Sequence, residues 1–160
     1  MRVSSVGWYA KTLKEAELIA KATAEVSHNH PEGIKGAIAT AGAVFLARTG
    51  ATIDKIKRYI SQYYIIDFTI DEIRPSYDYD ITCKGTVPQA MQAFFESISF
   101  EDAIRNAISI GGDSDTVAAI TGAVAEAYYG ISEELKETTL SYLDERLLDI
   151  VERFEEKYLA

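Results

Sequence analysis

A chain of 160 residues, 48% apolar and 26% charged, has ordinary globular make-up and is long enough to bury a core, so a single domain over residues 1–160 is expected. Its net charge of -9 argues against non-specific nucleic-acid binding, and a phosphate-bearing ligand would need local help from a metal, an arginine or a helix N-terminus. Cys83 is the one cysteine, which excludes an internal disulfide and makes a reducing cytoplasm the default; no apolar run approaches the roughly eighteen residues of a membrane span, and Met1-Arg2-Val3-Ser4 does not open a signal peptide.

Residues 1–10 are mixed and show no helical pattern. Thr12-Leu13-Lys14-Glu15 is a capping box, and Leu13, Ala16, Ala20, Thr23 and Val26 recur at three- and four-residue steps, so a helix is predicted over 13–27. It stops at Ser27-His28-Asn29-His30-Pro31, where Pro31 suits the first turn of the next helix. His28 and His30 are the only histidines. Imidazoles in such a turn either donate to ligand oxygens or cap the flanking helices, and no third ligand lies near enough in sequence to suggest a two-His metal site. The predicted helix 32–48 carries Gly33, Gly36 and Gly42. Each costs up to about 1 kcal/mol relative to alanine, so close approach of a neighbour must justify them, and this helix should be central.

Helices are further predicted over 53–64 behind Thr52, in a short turn opened by Thr69-Ile70-Asp71-Glu72, over 87–97 behind a Thr86-Val87-Pro88-Gln89 box, and over 100–109 behind Ser99. Another runs to Tyr129, a brief one follows Ser132, and an amphipathic helix is predicted over 140–159. No segment reads as a strand. The fold class is all-α, with about seven to eight helices.

One stretch carries chemistry. In Gly111-Gly112-Asp113-Ser114-Asp115-Thr116 two glycines loosen the backbone, and two carboxylates and a hydroxyl follow within four residues at the start of a small-residue helix. Oxygen ligands at this spacing suit a hard cation, magnesium better than zinc. Plain N-capping by one carboxylate is the competing reading. Asp113-Ser114-Asp115-Thr116-Val117 also matches the signature of aspartate-nucleophile phosphatases, but that motif ends an early β-strand in an α/β fold, a context absent here.

Taken together, Met1-Arg2-Val3-Ser4-Ser5-Val6-Gly7, Ser27-His28-Asn29-His30-Pro31-Glu32-Gly33, Cys83-Lys84-Gly85-Thr86-Val87-Pro88, Glu101-Asp102-Ala103-Ile104-Arg105-Asn106 and Gly111-Gly112-Asp113-Ser114-Asp115-Thr116 resemble the ADP-ribosylglycohydrolases, in order and spacing, over nearly the whole chain. The resemblance implies an all-helical hydrolase with two magnesium or manganese ions, cleaving the bond from ADP-ribose C1 to a protein side chain or small molecule. It maps metal ligation onto Asp113, Asp115 and Thr116, maps the substrate pocket onto Met1, Arg2, His28 and Gly85, and leaves the catalytic residue unassigned.

Family members also carry a Gly-Asp-containing first helix and a Thr-Asp-Asp motif that supplies the other metal ligands. Neither occurs here, so the expectation is the C-terminal half of the fold, lacking the N-terminal helices, with at most a partial metal site. Three readings follow: a half-length homologue inactive alone, one completed by a homo-oligomer or a separate N-terminal-half chain, and a non-catalytic ADP-ribose-binding or helical interaction module. ADP-ribose or an ADP-ribosylated protein is the expected partner, with no nucleic acid and no membrane.

Overall fold

The computed structural model describes residues 1–158, which form ten α-helices and no strand. The chain divides into two compact units, the first Met1–Tyr129 and the second beginning at Gly130. The first holds α1 (Ser4–Tyr9), α2 (Leu13–Glu25), α3 (Pro31–Arg48), α4 (Ile53–Ile60), α5 (Ile70–Ile73), α6 (Cys83–Phe95), α7 (Phe100–Ser109) and α8 (Ser114–Tyr129). The second holds α9 (Glu133–Leu140) and α10 (Glu145–Tyr158). Among the described residues no helix is long and apolar enough to cross a membrane.

Helix α3 is the axis of the first unit. Every residue from Ala39 to Ala47 is buried, as a helix apolar on all sides requires. Helices α1, α2, α4, α6 and α8 all pack on it, and α8 in turn packs on α6 and α7. The glycines of α3 make room for its neighbours. A Cβ at Gly42 would stand 2.0 Å from the Tyr59 hydroxyl of α4. A Cβ at Gly33 would stand 2.7 Å from the His28 carbonyl, so the turn before α3 folds back against its first turn. Tyr59 then donates to the Ile38 carbonyl (3.2 Å) and to Glu17 Oε1 (3.1 Å), and Tyr63 donates to the same oxygen (3.2 Å). One carboxylate of α2 is thus tied to α3 and to the end of α4.

Four elements differ from the sequence expectation. Residues 4–9 form a helix although nothing in their pattern announces one, and Val3 makes no side-chain cap bond. Six residues are too few to show a period, and α1 is held from outside: Val6 and Gly7 are buried, and Arg48 of α3 donates to the Gly7 (3.2 Å) and Ala10 (2.7 Å) carbonyls that the helix end leaves open. Helix α6 begins at Cys83, four residues before the expected start. Thr82, not Thr86, is its cap, accepting from Gly85 N (3.1 Å), while Thr86 donates back to the Thr82 carbonyl (2.8 Å). Pro88 therefore lies inside the helix, where it removes a ladder donor; the Tyr77 hydroxyl supplies one nearby, to the Gly85 carbonyl (2.7 Å).

Helix α4 ends at Ile60, because Tyr63 and Tyr64 turn back onto the Ile60 carbonyl. The expected helix 140–159 starts late: α9 is the brief helix expected behind Ser132 and ends at Leu140, and α10 begins only at Glu145, where Asp144 caps it by accepting from Leu147 N (2.8 Å). Its last expected residue, Leu159, lies outside the described residues.

Candidate functional site

A cavity of about 430 Å³ opens within the first unit, lined from both ends of its sequence. Met1 and Arg2 enter from the segment before α1, His28 from the α2–α3 turn, Gly33, Gly36, Ala37 and Thr40 from one face of α3, Cys83, Thr86 and Val87 from the start of α6, and Asp113, Thr116 and Ile120 from the start of α8.

The two histidines of the α2–α3 turn separate in role. His30 is the N-cap of α3, its Nδ1 accepting from Glu32 N (3.2 Å). His28 lines the cavity, and its Nδ1 lies 2.7 Å from Ser27 Oγ. Arg2 Nη2 donates to the Thr23 carbonyl (3.2 Å) and to the same Ser27 Oγ. Arg2 and His28 are therefore joined through one hydroxyl on the cation-bearing wall.

A second part of the lining is acidic. Gly111 and Gly112 hold φ of 82° and 62°, a left-handed pair that only glycine adopts cheaply. This turn delivers Asp113 to the N-cap position of α8, its carbonyl accepting from Val117 N (3.0 Å), with its side chain in the cavity lining. Tyr77 packs on Gly112, where a Cβ would stand 2.5 Å from the ring. Burial, then the charges of Asp80 and Asp113, push the Tyr77 hydroxyl pKa up, which keeps it a donor to Gly85.

Of the residues singled out from sequence, Met1, Arg2, His28, Asp113 and Thr116 meet in this cavity. Asp115 and Gly85 stand outside its lining. Asp115 Oδ1 accepts from Thr116 N (2.8 Å) and its residue is exposed. At Gly85 a Cβ would stand 2.0 Å from the Asp80 carboxylate, so this glycine makes room for the loop before α6.

The donor chemistry suits a hard divalent cation in kind, since carboxylate and hydroxyl oxygens are what magnesium takes. It falls short in number. Among the described residues no three His, Cys, Asp or Glu side chains gather as a metal-holding group, whereas magnesium takes an octahedral set.

The ADP-ribosylglycohydrolase family model matches residues 1–160. The chain belongs to that family. Human ADP-ribosylhydrolase ARH3 is 24% identical over 183 aligned residues, covering 83% of this chain and 50% of its own length. A protein of Archaeoglobus fulgidus is 27% identical over 144 residues, 79% of this chain and 47% of that one. A stretch of 62 residues, 39% of this chain, is 47% identical to ADP-ribosylarginine hydrolase Tri1 of Serratia proteamaculans and covers 16% of it. The chain thus spans about half the length of the human and archaeal relatives.

Sequence reasoning missed three polar residues of this ADP-ribosylglycohydrolase-family cavity: Thr40, Cys83 and Thr86. Thr40 had a signal, because Gly33, Gly36, Ala37 and Thr40 follow the three- and four-residue steps of one helix face. Cys83 and Thr86 stand inside the Cys83-Lys84-Gly85-Thr86 stretch that carries the family resemblance, of which only Gly85 was singled out. Burial pushes the Cys83 thiol pKa up, with the Glu32 charge adding to this, so the group stays protonated and is a poor nucleophile.

Proposed function

We propose that the cavity is an ADP-ribose site and that this chain contributes it to hydrolysis of an ADP-ribosyl bond to a protein side chain or small molecule. The supporting observation is the convergence of Met1, Arg2, His28, Asp113 and Thr116, chosen from three distant motifs, on one cavity. The names of the human and Serratia relatives, an ADP-ribosylhydrolase and an ADP-ribosylarginine hydrolase, agree with this substrate class.

The two walls divide the work. Arg2 and His28 offer donors to an acceptor-rich nucleotide. Asp113 and Thr116, with Asp115 beside them, would hold one magnesium or manganese ion, water completing its shell. Held there, the ion would supply Lewis acidity to ribose hydroxyls and water. Positive charge grows on the ribose as the leaving group departs, and the Asp113 carboxylate would oppose that charge electrostatically.

The shortage of oxygen donors favours a second reading for the isolated chain: ADP-ribose binding without turnover. Isothermal titration of ADP-ribose, with and without magnesium, tests the assignment, and release of ADP-ribose from a modified peptide separates the two readings. Magnesium-dependent binding with release supports a hydrolase, and binding without release supports the module. No heat at millimolar ligand under either condition overturns the site.

A further inference from the structure

We infer that Ser27 is a positioning residue, fixing the imidazole of His28 with its N–H on Nε2. The inference rests on counting protons. Ser27 Oγ accepts from the Arg2 guanidinium and lies 2.7 Å from His28 Nδ1. A serine hydroxyl has one proton and room for accepted bonds besides.

If Nδ1 carried the ring proton, Ser27 Oγ would accept from two donors and its own proton would be left to solvent. If Ser27 donates to Nδ1, every proton of the chain is used in one direction, from Arg2 through Ser27 to His28. The cationic donor polarises the hydroxyl and strengthens the bond it gives. The remaining ring proton then sits on Nε2, on the edge of the imidazole away from Ser27. His28 lines the cavity, so a ligand atom that meets Nε2 there would be an acceptor.

The surrounding backbone supports a fixed ring. Ser27 N (3.1 Å) and His28 N (2.7 Å) both donate to the Ala24 carbonyl, and His30 N donates to the His28 carbonyl (2.7 Å). A free imidazole exchanges between tautomers; this one is seated on a folded turn with its Nδ1 engaged. The consequence for a ligand rests on the reading of the cavity as an ADP-ribose site; the tautomer itself does not.

Imidazole nitrogen-15 spectra of the unliganded chain, taken well above the ordinary histidine range, read the tautomer directly. In the wild type the expected His28 Nδ1 signal is that of an unprotonated nitrogen displaced by an accepted hydrogen bond. Ser27→Ala should return it to the unbonded position, and Ser27→Thr, which keeps the hydroxyl, should hold it in place. A protonated Nδ1 in the wild type, or an Nδ1 signal unmoved by Ser27→Ala, overturns the inference.

Titration with ADP-ribose is the second arm. Ser27→Ala should weaken binding roughly tenfold, the scale of one hydrogen bond near a charge, with Ser27→Thr close to wild type. Equal affinities for wild type and Ser27→Ala overturn the positioning role. Failure of the wild type to bind, with the spectra as expected, overturns the ADP-ribose reading and leaves the tautomer standing.

Discussion

The two walls of the cavity are built on different principles. The Arg2–Ser27–His28 wall is a closed hydrogen-bond network, with Arg2 anchored at two acceptors and His28 seated on the end of α2. The Asp113–Thr116 wall is a left-handed glycine turn that delivers acidic side chains to a helix N-terminus, with too few donors around it to close a metal shell. The first wall is ready for an organic ligand. On the proposed function, the second would act through a bound cation. Affinity for ADP-ribose should therefore depend on both walls, and its metal dependence on the second alone.

The largest expected effect follows from removing the acidic wall. Asp113→Ala should lower apparent magnesium affinity by about a hundredfold or more, beyond the usual cost of losing an outer-shell partner, and should abolish any magnesium dependence of ADP-ribose binding in titration. Residual binding without metal should survive through Arg2 and His28. If Asp113→Ala binds ADP-ribose with unchanged magnesium dependence, the division between the walls is wrong.

Gly112→Ala attacks the same wall through its backbone. An alanine there must adopt φ near 62° and meet the Tyr77 ring, a strain of about 2 kcal/mol. For a chain of this size that lowers the melting temperature by roughly 5 °C. Gly111→Ala shares the left-handed φ of 82° but meets nothing within 4 Å, so calorimetry should find it the milder of the two.

Arg2→Lys tests the organic wall. Lysine keeps the charge, but its ammonium sits on a shorter reach than the Arg2 Nη2 that meets both the Thr23 carbonyl and Ser27 Oγ. ADP-ribose affinity should fall roughly tenfold, with its magnesium dependence intact. An unchanged affinity would reduce the network to simple charge.

How much of this was legible follows from where the information lies. The Gly-Gly-Asp-Ser-Asp-Thr turn and the His-x-His-Pro turn announce themselves because loops carry local chemistry that tertiary packing does not rewrite. The caps Thr12, Thr52, Thr69 and Ser99 were readable for the same reason, each accepting from a backbone N–H three residues on. Helix α1 was not, because its end is satisfied by Arg48, 38 and 41 residues away in sequence. The start of α6 was misread because Thr82 and Thr86 are both plausible caps, and only the loop holding Asp80 against Gly85 decides between them. Ser27 stood inside a quoted motif, yet its role appears only when Arg2, 25 residues away, is folded onto it.

The smallest effect concerns what keeps the organic wall in place. Glu17 of α2 accepts from both Tyr59 and Tyr63, and Tyr59 also reaches α3 at Ile38. This brace fixes α2, whose end carries Ser27 and His28, against α3. Tyr59→Phe should cost about 1 kcal/mol, since it removes the bonds to the half-buried Ile38 carbonyl and to Glu17, which keeps Tyr63 alone. The brace also has a pH signature. Burial, then hydrogen bonding and charge from Tyr63 and Glu17, hold the Tyr59 pKa far above the ordinary tyrosine value. A folded-state pKa above the unfolded one favours the protonated native form. That contribution is fully present below the unfolded value of about 10 and is lost as pH rises above it. Denaturant melts of the wild type should therefore show stability falling above about pH 10, and Tyr59→Phe should have a shallower slope there. An equal slope in the two proteins would place the alkaline loss on Tyr63, Tyr64 and Tyr77, whose hydroxyls are also raised by burial, and would remove Tyr59 as the group that ties the organic wall to the core.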